Sequence, residues 1–136
     1  MTRPLVIRAD FDDQEKWERI QQLIAAPVHD GEYTFYADVD FLDDTRFRNA
    51  TVEDLLARLP RPYDHSFVMI ADKATLEDPE FPILVVDLHD QPANAFRAIP
   101  STIQSIENNL SLANMDFYEF AESVASDGVF RGFPEP

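Results

Sequence analysis

The sequence predicts an α/β sandwich: a single domain with a mixed sheet of four or five strands, helices on both faces and two helices at the C-terminal end. Three observations lead there. The runs SFVMIAD (66–72) and PILVVDLHD (82–90) are apolar without alternation, as strands covered on both faces are. Segments with apolar residues three and four apart separate the early strand-like runs, the order that builds layered α/β folds. The stretch DQPAN reads as a turn into another strand at 95–99, which adds an antiparallel pair to neighbours joined by crossovers.

The first strand is PLVIRAD (4–10), short, apolar and β-branched. A helix over 13–26 follows, with Trp17, Ile20, Leu23 and Ile24 on one stripe, Asp12 or Asp13 as its cap and Pro27 as its stop. From 33 to 41 the pattern alternates, so Tyr33, Phe35, Ala37, Val39 and Phe41 should share the buried face of one half-exposed strand. Thr51 and Asp54 resemble a capping box for a short helix that turns Leu55, Leu56 and Leu59 inward. ATLEDPEF holds about one helical turn, and Gly31 serves a turn. Val6, Phe35, Val68, Ile70, Leu84 and Val86 are the expected sheet core.

Towards the C-terminus, Ser101 and Gln104 form a second capping-box candidate for a helix with Ile103, Ile106, Leu110 and Ala113 on its apolar stripe. Asn114 suits a left-handed stop, and Asp116 with Glu119 opens the last helix, whose buried face is Phe117, Phe120, Ala121 and Val124. Gly128 should end that helix. Between the two starts lies Glu107-Asn108-Asn109, three polar residues in mid-helix. Glu107 and Asn108 are read as facing away from the stripe, and Asn109 as bordering it. Asparagine is a poor helix former, so the run is a candidate binding site as well as a candidate tie to a neighbouring loop. The loop role fits Asn109 better, and the exposed one Asn108.

Composition excludes several function classes. The 136 residues hold 26 acids, 11 bases and no cysteine, for a formal charge of −15. Such a surface repels phosphates, so neither nucleic acid nor an anionic membrane is an expected partner, whereas a basic protein would be attracted. Absence of cysteine removes thiolate nucleophiles and cysteine-based zinc sites. The apolar run near the N-terminus is too short for a signal peptide or a membrane span, and a cytoplasmic location is expected.

Three histidines lie in or near turns and three glycines are dispersed, so no histidine pair, nucleophile elbow or phosphate loop is formed. The enzymatic candidates are positional. Asp10 and Asp12 follow the first strand, Asp72 ends a central one, and Asp87, His89 and Asp90 end the next. If those strands are parallel, their carboxylates converge on one edge and could hold Mg²⁺ for hydrolysis. Aspartates at strand ends also cap helices and close turns, and no cofactor or metal is expected. The nine residues LVIRADFDD resemble the aspartate motif of haloacid-dehalogenase phosphatases, which implies Asp10 as nucleophile and Asp12 as its acid. Gln14 stands where that motif has threonine or valine.

The stretches LVIRADF, TVEDLLARLP, FPILVVDL, FRAIPSTIQSIENNLSLANMDFYEFA and DGVFRGF together resemble an uncharacterised, largely actinobacterial family of small proteins. That resemblance implies a stand-alone cytoplasmic protein and carries no catalytic residue. The leading expectation is a non-enzymatic binding protein, with an immunity-type protein that neutralises a basic toxin as one version by analogy. A Mg²⁺-dependent hydrolase is the alternative. A third reading is a subunit of a larger assembly that makes contact through Val129, Phe130 and Phe133.

Overall fold

The computed structural model describes residues 3–133. Strand β1 (Leu5–Arg8) leads into helix α1 (Gln14–Ala25), whose first turn is capped by the Asp13 carboxylate accepting from the Lys16 N–H. A hairpin of β2 (Val28–Asp30) and β3 (Tyr33–Phe35) comes next, then β4 (Asp40–Leu42) and a 3₁₀ turn at Thr45–Phe47. Helix α2 (Val52–Ala57), β5 (Phe67–Ala71), α3 (Lys73–Glu77), β6 (Ile83–Asp87) and β7 (Ala95–Ala98) follow. The described chain closes with α4 (Ile103–Ser111), α5 (Phe117–Ala121) and β8 (Val129–Phe130).

The main sheet has six strands in the order β4-β1-β5-β6-β7-β8, more than the four or five expected. It is mixed. β1 runs parallel to β4 and β5, β5–β6 and β6–β7 are antiparallel, and β8 returns parallel to β7. The continuous apolar runs are explained by cover on both faces. Val6, Phe67, Met69, Ile83 and Val85 face α1, α4 and α5, packed around Trp17, Ile20, Ile106 and Phe120. Leu5, Ile7, Val68, Ile70 and Val86 face the opposite layer, built from Phe47, Leu55 and the half-buried Leu56 and Tyr63. The Tyr63 hydroxyl accepts from the Leu5 N–H and donates to the Phe67 carbonyl, tying β1 to β5. Burial pushes its pKa up to about 12.

Several expectations are corrected. The alternating stretch 33–41 is not one strand: β3 pairs only with β2, across Gly31 at φ +61°, and residues 36–39 cross over before Asp40 joins β1. Phe35, expected in the core, is therefore 39% exposed. The Ser101–Gln104 box does not form, because a 3₁₀ turn at Pro100–Thr102 precedes α4 and the Thr102 hydroxyl donates back to the Ile99 carbonyl. It is Ala113, at φ +55°, that takes the left-handed position after α4, not Asn114, and it is exposed rather than on the apolar stripe. Gly128 does not end a helix, since α5 stops at Ala121; it sits at φ +80° in the turn feeding β8. Val129 and Phe130 are buried in the sheet and not offered for assembly, and the exposed Phe133 ring leans on Phe120 and Phe130.

Candidate functional site

The strand-end carboxylates do not converge. Antiparallel pairing sets Phe67 opposite Asp87, so Asp87, His89 and Asp90 lie at one edge of the sheet, and Asp10, Asp12 and Asp72 at the other. The geometry assumed for a shared Mg²⁺ site is thereby overturned. Each buried aspartate has local work instead. Asp87 accepts from the His89 and Gln91 N–H groups, each at 2.9 Å, and so closes the turn after β6. Asp10 accepts from the Asp12 N–H at 2.9 Å and turns β1 towards α1. His89 is exposed, with Nδ1 2.8 Å from the neighbouring Asp90 carboxylate. Among the described residues, no three histidine, aspartate or glutamate side chains are grouped to hold a metal ion.

Arg8 is the residue that organises the first edge, although its sequence position was given no role. It is buried, with its guanidinium over the Phe11 ring at 4.4 Å and the Trp17 ring at 5.6 Å. Its Nε donates to the Asp10 carbonyl, and Nη1 donates to Gln14 Oε1 at 2.8 Å, with Asp43 3.4 Å away. An arginine inside an otherwise apolar strand was the available signal. Gln14, which departs from the phosphatase-like motif, is thus a partner of Arg8.

The Glu107-Asn108-Asn109 run has a structural account. Glu107 follows Ile103 by one helical turn and shares its face, so it is 3% exposed, not turned to solvent as expected. Its Oε1 accepts from the Asp38 N–H at 2.7 Å. Asn108 is half-buried, and its Nδ2 donates to the Tyr36 carbonyl at 3.3 Å. Asn109, expected to hold the loop, instead donates from Nδ2 to the Ser105 carbonyl one turn back in its own helix, at 2.8 Å, so the loop role falls to Asn108. Two of the three therefore fasten the crossing segment 36–39 to α4. Glu107→Ala should lower stability by about 2 kcal/mol, the range for a hydrogen bond to a charged group. Glu107→Gln, which keeps an acceptor, should retain most of it. Urea unfolding checks both, and a loss no larger than that of Asn108→Ala would remove Glu107 as the main tie.

Fastening this segment makes a groove. It runs between the β2–β3 hairpin and α4, with a volume of about 990 Å³, and Asn108 and Asn109 line it. Phe35 and Tyr36 stand on one side and Leu112 on the other, all three exposed. Asp30 is the lining residue that carries a full charge. The sequence on both sides is one-sided: no lysine or arginine occurs from residue 20 to 45, or from 98 to 130. The first base beyond the second stretch, Arg131, is already paired with Glu80 and Asp127.

Fold and groove together define an α/β protein of strongly acidic charge with a polar, aromatic-edged recess. The chain belongs to the family described as domain of unknown function DUF6924, whose model matches residues 3–133. No curated protein matches it. No helix among the described residues is long and apolar enough to cross a membrane.

Proposed function

We propose that the protein is a non-enzymatic binding protein that recognises a basic partner protein through the groove between the β2–β3 hairpin and α4. The observation that carries this reading is the coincidence of exposed aromatic surface with the two stretches free of lysine and arginine. Exposed Tyr33, Phe35, Tyr36 and Leu112 offer apolar anchor area of the kind that interface hot spots use. The charge around them attracts a cationic protein and repels phosphate-bearing ligands and further copies of this chain. Neutralising a basic toxin, as immunity-type proteins do, is one form such a partnership takes.

Affinity capture at low salt, followed by association kinetics with the captured partner, tests this. The partner should be basic, and its association rate should fall steeply as ionic strength passes about 0.15 M, where the screening length is about 8 Å. Tyr36→Ala should weaken binding by about 2 kcal/mol while leaving the unfolding midpoint in place, because its side chain faces solvent. A rate indifferent to salt, or a partner indifferent to Tyr36, would remove the reading.

A further inference from the structure

We infer that the face of the β2–β3 hairpin that carries Asp30, Tyr33 and Phe35 is an anchor for an arginine side chain on an extended segment of that partner. This rests on the binding reading above and specifies its chemistry. Hairpin register sets Asp30 opposite Tyr33 and Val28 opposite Phe35. Cross-strand partners and residues two apart share a face, so Asp30, Tyr33 and Phe35 are presented together. The Tyr33 and Phe35 rings lie 6.3 Å apart at 34°, and Tyr33 is 70% exposed. Their faces form a shallow platform beside a carboxylate.

Asp30, like most of the described acids of this chain, is left without a cation. Asp38 and Asp40 pair with Arg3, Asp43 with Arg8, Asp44 with Arg46, and Asp127 with Arg131. Among the described residues no lysine or arginine pairs with Asp30. The local sequence supplies none, since the nearest bases along the chain are Arg19 and Arg46.

A guanidinium fits both halves of this face. It is planar and stacks on an aromatic ring, and its fork of donors matches a carboxylate. A lysine ammonium satisfies the charge but neither the stacking nor the fork. The protein already stacks two guanidinium groups on a ring, with Arg8 over Phe11 and Arg48 over the same ring at 5.2 Å. Asp30 and Phe35 also line the groove, which continues to Asn108 and Gln104, a path for the extended chain that carries the arginine.

The test titrates the intact protein at low salt with three synthetic glycine–serine peptides, followed by backbone amide shifts. One peptide carries two arginines, one two lysines and one two citrullines, which keep the planar shape without the charge. The arginine peptide should bind best, shift the amides of residues 28–36, and exceed the lysine peptide by about two- to five-fold, the range of an exposed cation–π contact. Tyr33→Ala should erase that preference, and Asp30→Asn should weaken both cationic peptides by about two- to five-fold. Both positions are exposed, so thermal midpoints should stay in place and folding does not confound the result. Tyr118→Ala, an exposed ring on α5 outside the groove, should change nothing. Equal binding of arginine and lysine peptides, unaffected by Tyr33→Ala, overturns the anchor and leaves the basic-partner reading standing. Cationic peptides that bind no better than citrulline overturn both.

Discussion

Phe120→Ala should lower the unfolding free energy by about 3–5 kcal/mol, the cost of truncating a fully buried aromatic. Phe120 is 0% exposed on α5, a helix of little more than one turn that cannot hold itself together. Its ring stacks on Phe96 of β7 at 6.5 Å and meets Phe130 of β8 edge-on at 5.4 Å. Phe117 of the same helix approaches Phe96 at 5.0 Å. The cluster thus joins α5 to the last two strands, and removing its centre weakens all three contacts while leaving the native fold in place. Guanidinium unfolding should show a lower midpoint with an unchanged slope. A loss below about 1 kcal/mol would mean that α5 is not packed on the sheet as described.

That cluster was legible in part. Phe117 and Phe120 follow an acidic helix start, and the Glu119 carboxylate does accept from the Asp116 N–H at 2.9 Å. Local grammar of this kind reads well from sequence because it involves only neighbours along the chain. The Thr51–Asp54 box, the Asp13 cap and the two-sided burial of the central strands all follow from it. Strand direction is a different matter. Apolarity says that β5 and β6 are central and nothing about their sense. The connection gave only a hint: a parallel crossover takes about a dozen residues, and the span between Ala71 and Ile83, with one brief helix in it, falls just short of that and returns the chain antiparallel. The convergence of Asp10 with Asp87 failed on that point alone.

The groove failed to appear in the sequence for another reason. Tyr33 to Phe41 alternates as a strand should, yet Tyr33 and Phe35 pair with β2 while Phe41 pairs with β1, so one pattern serves two sheets. Nothing local marks the crossing. Its tie is Glu107, far along the chain, and a carboxylate next to an apolar stripe looks the same in sequence whether it meets water or a backbone N–H. Counting turns from Ile103 would have placed it on the buried face. Arg8 is the converse case, since a lone cation in an apolar strand points to a partner that only the folded edge supplies.

Arg97→Met should cost about 2–3 kcal/mol, because it leaves a largely buried carboxylate without its cation. Arg97 on β7 reaches across β6 to Asp72 at the end of β5, with Nη1–Oδ1 at 2.9 Å and Nη2–Oδ2 at 2.8 Å. Nη1 also donates to the Pro82 carbonyl at 3.2 Å. Asp72 meanwhile caps α3 by accepting from the Thr75 N–H, so the pair fastens three strands and a helix start at one edge. Burial pushes the Asp72 pKa up, but the Arg97 guanidinium and the Thr75 bonds outweigh it and hold the carboxyl below its ordinary value. A depressed folded pKa means that this stabilisation is complete above the unfolded value of about 3.9 and is lost as pH falls through the folded one. The gap between wild type and Arg97→Met should therefore be full at neutral pH and narrow progressively below about pH 4. Both side chains are about a quarter exposed, at 26% and 28%, which places the cost below that of a fully buried pair. A double-mutant cycle with Asp72→Asn isolates the coupling, expected to exceed about 1 kcal/mol for groups in direct contact. Additive losses, or a gap that persists unchanged in acid, would show that Arg97 contributes through its packing on the sheet and not through the carboxylate.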